Sequence, residues 1–221
     1  MGARSIPATA AVFPLPNAVL FPRACMSLHV FEPRYREMTR YALRNGGVLC
    51  TALLLPGWEE EYEGTPPVYD VGCAGRIRDL HETEDGRFYF TLLAMGRVRF
   101  RGFLQEEPFR IAEVEPLAES RVPRDERARR ETLELLASYA AVLQLLNPSV
   151  SDTLALSTSV PLPEAVDQVL MRLDFDVHMK QRLLADLDPR MRCRWVTRLL
   201  GTLLGTLQEQ QRGQDGGAVL A

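Results

Sequence analysis

The stretch Ser27–Gly47 reads SLHVFEPRYREMTRYALRNGG, and it decides how the first half of the chain is built. Leu28, Val30 and Phe31 around His29 have the composition of a strand. The chain then turns at Glu32-Pro33. Proline suits the first position of a helix, where its missing N–H costs nothing. Tyr35, Met38 and Ala42 follow at helical spacing and give one apolar face, and Gly46 and Gly47 end the helix. A single helix is thus expected at a strand corner, with His29, Glu32, Arg34 and Tyr35 close together in sequence.

Around this corner the pattern is one of strands. Before it, AVFPLP is a short strand broken by Pro14 and Pro16, expected at an edge or as a first strand. After it, GVLCTALLLP is an apolar run that predicts a strand buried on both faces. VGCAGRIRDL carries Gly72 and Gly75, which predict a bulge or sharp bend. Asp85-Gly86 within HETEDGRFYFTLL is a hairpin signal. GRVRFRGFLQ alternates Arg97, Arg99 and Arg101 with apolar residues, which predicts one wet face, and FRIAEVEPL is the last strand.

The composition changes at AESRVPRDERARRE. Leu133, Leu136, Ala140 and Leu143 form a helical stripe, and Pro148 interrupts it. Pro163 starts a second helix, Asp176 can cap a third, and Asp188-Pro189 opens a fourth with Val196, Leu200, Leu203 and Leu207 along one side. Strands first and helices second predict an α+β chain. The expected units are a twisted β-barrel-like domain over 1–118, a helical bundle over 119–211 and a frayed tail over 212–221.

The totals exclude several classes of function. The chain has 221 residues, enough to bury a core, and a net charge of -3 gives no global pull toward nucleic acid or anionic membrane. Cysteines 25, 50, 73 and 193 form no CxxC pair, so reduced buried thiols are expected and a zinc site is not. Lys180 is the one lysine among 26 basic residues, and it follows no glycine-rich turn, which excludes a P-loop. No run is apolar enough for a membrane span and no signal peptide is visible, so a cytoplasmic location is expected.

Three constellations could carry function. His29 and Glu32 could pair as base and orienter of a small hydrolase, as could His81 with a carboxylate, but no motif marks a nucleophile. The corner reads better as structure: His29 on or beside the core, Glu32 at the positive end of the helix, Pro33 fixing its start. His81 and His178 read as solvated surface residues. Arg76, Arg78, Arg97, Arg99 and Arg101 would form a basic patch for RNA if their strands were neighbours, with Phe88 or Tyr89 as stacking faces. Nearby acids, including Glu82, Glu84 and Asp85, would neutralise it. The loop 56–67 carries Trp58 and Tyr62 among acids, as anchors or as recognition residues.

Four segments together carry a resemblance: FPLPNAVLFPRACMSLHVFEPRYREM, YDVGCAGRIRDL, GRFYFTLLAMGRVRF and KQRLLADLDPRMRCRWVTRLL. In order and spacing the chain resembles the substrate-binding N-terminal domain of Lon proteases in its free-standing bacterial form, a domain that cereblon shares. The resemblance implies a PUA-like twisted β-barrel with one inserted helix, followed by a helical bundle. It implies a non-catalytic protein- or peptide-binding module without ATPase, protease or zinc parts, and no cofactor. The expected partners are unfolded or tagged protein segments, with a protease or adaptor beyond them; nucleic acid and membrane are not expected, and a homo-oligomer is compatible with the sequence. On this reading the peptide contacts are Phe21, Tyr35, Trp58 and Tyr62, and no residue is catalytic or binds metal.

Overall fold

The computed structural model describes residues 5–61, 64–146 and 157–217. These form two compact units, one of residues 1–118 with 171–187 and one of residues 119–170 with 188–221. Expectations for Tyr62, Pro148 and the last four residues of the tail fall outside the described residues.

The first unit is built on strands β1 (Thr9–Leu15), β2 (Cys25–Val30), β3 (Val48–Leu53), β4 (Val71–Glu82), β5 (Phe88–Gln105) and β6 (Arg110–Pro116). Helix α1 (Pro33–Arg44) lies between β2 and β3, as the corner predicted. The strands make one mixed sheet in the order β2-β5-β4-β3-β1-β6, with β1 and β3 parallel and the other pairs antiparallel. The 18-residue β5 is long enough to serve three neighbours: its first half pairs with β2, and its second half also reaches β6.

The barrel expectation is corrected here. The sheet curls where β5 meets β6, but it is not a closed barrel, because β2 pairs with β5 alone and leaves an edge among the described residues. Of the two readings expected for β1, the chain takes the first-strand one: it lies inside the sheet, between β3 and β6, and not at an edge. Pro14 is tolerated there because the pairing with β6 ends at Val12, so its missing N–H breaks no bond on that side.

The helix and the turns follow their sequence signals. Tyr35, Met38, Thr39 and Ala42 are the buried residues of α1, with Pro33 at its start. Asn45 closes it through its amide nitrogen, which donates to the Tyr41 carbonyl at 2.9 Å. The β4–β5 hairpin turns at Gly86, whose φ of 78° favours glycine, and the Thr83 N–H donates to Arg87 O at 3.0 Å. Gly72 is required for another reason. A Cβ there would lie 2.1 Å from the Thr51 carbonyl oxygen and 2.8 Å from Phe100 Cζ. The register shifts between Ala74 and Gly75, so the expected bend is a bulge between β4 and β5.

Two apolar clusters fill the sheet unit. Phe13, Leu20, Val30, Met38, Leu49, Phe88, Phe90 and Leu92 belong to one, and Val12, Cys50, Val98, Phe100 and Val114 to the other. Each fully buried Leu or Phe contributes about 1.5–3 kcal/mol. The helix α4 (Val177–Ala185) belongs to this unit as well. Asp176 caps it, accepting from the Met179 N–H at 2.8 Å, and the Gln181 amide donates to Val71 O at 2.8 Å.

The second unit contains α2 (Glu126–Leu146), most of α3 (Leu162–Arg172) and α5 (Pro189–Gly217). The buried stripe of α2 is Ala128, Thr132, Leu135, Tyr139 and Val142, with Leu136 beside it. This corrects the expected stripe, since Leu133 and Ala140 are exposed. Both stripes have helical spacing; the sequence favoured the one richer in leucine, while the chain buries a tyrosine and a threonine instead. Arg192 is fully buried and lies 3.4 Å from the equally buried Asp167, with Glu119 as a second carboxylate partner. The Asp188 carboxylate accepts from the Arg190 N–H at 2.9 Å, as its predicted capping role requires.

Candidate functional site

The corner is a scaffold. Glu32 is the N-cap residue of α1, but its carboxylate makes no cap hydrogen bond; it accepts from Arg34 Nε at 3.0 Å. The Arg34 guanidinium also lies over the Tyr35 ring, 4.7 Å from its centroid, and Tyr35 packs on Phe13 at 4.8 Å. His29 was expected on or beside the core and is not. Strand alternation turns Met26, Leu28 and Val30 inward, so His29 faces solvent with Cys25 and Ser27. Its ring stacks on Tyr89 with centroids 4.2 Å apart.

The expected peptide contacts that are described, Phe21, Tyr35 and Trp58, do not form one surface. Phe21 is fully buried, with the Arg97 guanidinium 5.8 Å from its ring centroid. Tyr35 is buried and lines one side of a cleft of about 280 Å³ with Arg34, Pro66, Phe109 and Arg110. Arg110 is anchored there by a 2.5 Å hydrogen bond to the Pro66 carbonyl, and burial lowers its pKa. Trp58 is half-buried on the short turn Trp58–Glu61.

The five arginines do not converge either. Arg76 and Arg78 stand opposite Leu93 and Thr91, on the same face as His29 and Tyr89. Arg97 was expected on a wet face, but it is 1% exposed and its Nε donates to Leu184 O at 2.8 Å. The bulge at Ala74/Gly75 changes the alternation that the sequence pattern assumed. Arg99 pairs with Asp70 at 3.6 Å and Arg101 with Glu115, so neighbouring acids neutralise both.

Sites for chemistry are sparse. Neither His29 nor His81 lines a described cleft. His178 is not a simple solvated residue: its Nδ1 lies 3.3 Å from the Tyr69 hydroxyl. The described residues hold no cluster of three metal-binding side chains. Cys50, Cys73 and Cys193 are buried, whereas Cys25 is exposed. Burial pushes the Cys50 thiol far up, with Cys73 adding to the effect. Cys193 is raised to about 11, again chiefly by burial.

What the sequence pattern missed is a group of exposed apolar side chains on an otherwise polar face. Phe31, Tyr89 and Leu93 are 56%, 44% and 44% exposed, and they border β2. Along this face the cross-strand rows are His29–Tyr89–His81, Ser27–Thr91–Arg78 and Cys25–Leu93–Arg76. The alternation of buried and exposed residues in FYFTLL would have located it once the hairpin was placed.

Comparison with known proteins agrees with this architecture. Residues 9–202 match the ATP-dependent protease La (LON) substrate-binding domain. The chain is 29% identical over 212 residues to Lon protease 2 of Syntrophobacter fumaroxidans, covering 95% of this chain and 26% of that protein. It is 24% identical over 210 residues to the Lon protease of Desulfosudis oleivorans, covering 92% of this chain and 25% of that one. The chain thus spans about a quarter of the length of these relatives. The N-terminal domain of Mycobacterium avium complex Lon protease has a similar fold, with a TM-score of 0.67 at 16% identity over 87% of this chain and 98% of that one. A Lon N-terminal domain protein from Xanthomonas campestris gives 0.57 at 22% identity, over 85% and 96%. The region matched is the substrate-binding part of Lon, which is not its catalytic part, and by that match this chain belongs to the Lon substrate-binding domain family.

Proposed function

We propose that this chain is a non-catalytic module that binds unfolded or tagged protein segments. One observation carries the reading: the substrate-binding domain match runs through both structural units, from residue 9 to residue 202. The exposed aromatic rings of Phe31 and Tyr89, both in contact with the His29 ring, support it, since they offer apolar contact area to a bound segment. Trp58 remains a candidate contact, whereas Phe21 and Tyr35 act from the core. A separate protease or adaptor would receive the bound segment. The reading includes a cytoplasmic location, which free cysteines suit; no described helix is long and apolar enough to cross a membrane.

The test is direct binding. The purified chain is titrated into a fluorescently labelled protein kept unfolded by reduction and carboxymethylation. Saturable binding is expected, with no binding to the same protein in its native, disulfide-bonded form. Absence of binding to the unfolded probe, with the chain folded by circular dichroism, would remove the proposal.

A further inference from the structure

Among the described residues strand β2 has one partner. It pairs with β5 in an unbroken antiparallel register from Cys25↔Leu93 to Val30↔Phe88. The Ala94 N–H donates to Ala24 O at 2.9 Å, which makes Ala24 and Ala94 a hydrogen-bonded pair. Antiparallel ladders alternate bonded and non-bonded pairs. Met26, Leu28 and Val30 therefore use their main-chain groups on β5. Cys25, Ser27 and His29 turn theirs to the other side, where no described strand or side chain meets them.

Folded proteins usually protect such an edge with charge, proline, a bulge or a cover. Cys25–Val30 has no acidic, lysine, arginine or proline residue, and its register with β5 contains no bulge. Among the described residues the edge is thus regular, open and without acidic, lysine or arginine side chains, with exposed Phe31 at its end and exposed Tyr89 and Leu93 one strand further in, on β5.

We infer that the β2 edge is where this module takes its ligand, an extended and uncharged polypeptide segment added to the sheet as a further strand. The inference rests on the proposed function and specifies its mode. Main-chain hydrogen bonds supply an affinity that depends little on sequence, as a binder of unfolded chains needs. The composition of the edge selects the occupant: β2 carries no acidic, lysine or arginine side chain to pair with a charged segment, so an uncharged one matches it. Phe31, exposed at the end of β2, then favours an apolar residue beside it in the added strand.

The experiment uses the whole chain, a labelled peptide of alternating valine and threonine, and the unfolded probe protein described above. Ser27→Pro removes an N–H that faces outward, so it blocks the edge without breaking the β2–β5 ladder. The expected result is at least about a tenfold loss of affinity for both probes at an unchanged circular dichroism spectrum. Unchanged affinity in folded Ser27→Pro overturns the edge assignment while leaving the proposed function standing. If wild type binds neither probe, both fail together. If Ser27→Pro does not fold, the wild-type chain is tested with the fully N-methylated peptide, which has the same side chains but no amide donors; equal binding overturns the inference and loss of binding supports it. Sedimentation gives a further arm. A wild-type dimer that becomes monomeric in Ser27→Pro, with peptide affinity unchanged, assigns the edge to a second copy and overturns the inference.

Discussion

His29 and Tyr89 stack face to face across the β2–β5 pair, with ring centroids 4.2 Å apart and ring planes 5° from parallel. The pair stands on the solvent side of the sheet, next to a strand edge that is unpaired among the described residues. An exposed cross-strand aromatic pair adds only about 0.2–1 kcal/mol to stability. Tyr89→Ala should therefore cost about 1 kcal/mol or less in urea unfolding. If this face binds segments, the same variant should weaken binding to the unfolded probe. A large stability loss with intact binding would show that the pair serves the fold and not the ligand.

Arg97 is expected to matter for stability rather than for recognition. Its guanidinium is buried, donates to the Leu184 carbonyl and lies near the Phe21 ring. Arg97→Met keeps much of the packing and leaves that carbonyl without its donor. The expected destabilisation is about 2 kcal/mol by urea unfolding, since a hydrogen bond to a charged group is worth about 1.5–3 kcal/mol. A neutral effect would place Arg97 outside the set of stabilising residues.

Asp167 and Arg192 make the corresponding prediction for the helical unit. Both side chains are fully buried and stand 3.4 Å apart. Asp167→Ala leaves a buried guanidinium with one fewer carboxylate, and removing one partner of such a pair costs about 3–5 kcal/mol. Thermal unfolding should show the loss, and replacing both residues with apolar ones should recover much of it.

Much of the fold could be read from the sequence because its signals are local. Pro33, Gly46, Asp85-Gly86, Asp176 and Asp188-Pro189 punctuate the chain by backbone chemistry that tertiary packing does not override. The features that could not be read depend on pairing partners. Pro14 suggested an edge or a first strand, and which of the two holds depends on pairing: β1 is a first strand in the sheet interior because one of its two ladders stops before the proline. Arg97 alternates like a surface residue, but the bulge in β4–β5 interrupts that alternation, and the Leu184 carbonyl accepts from its buried guanidinium. The exposed face at β2 was hidden for the same reason. SLHVF reads as a strand, but no residue within it says that its second edge has no partner among the described residues.

The cysteines give a pH prediction. The Cys193 thiol is held neutral by burial, with its pKa raised from 9.0 to about 11. Above pH 9 the unfolded chain loses this proton while the folded chain keeps it. The contribution to stability is thus full below pH 9 and is lost as the pH rises through about 11. Urea midpoints should fall across that window, and Cys193→Ala should flatten the dependence. A thiol reagent at neutral pH should label exposed Cys25 first, and Cys50, Cys73 and Cys193 only on unfolding.

Amide hydrogen exchange tests the central claim most directly, with the chain alone and with the reduced, carboxymethylated unfolded protein bound. The outward amides of Cys25, Ser27 and His29 should exchange fast in the free chain and slow on binding, while those of Met26 and Leu28 should be protected in both states. Saturable binding with no slowing at Cys25, Ser27 and His29 would contradict the account of how this module holds its ligand.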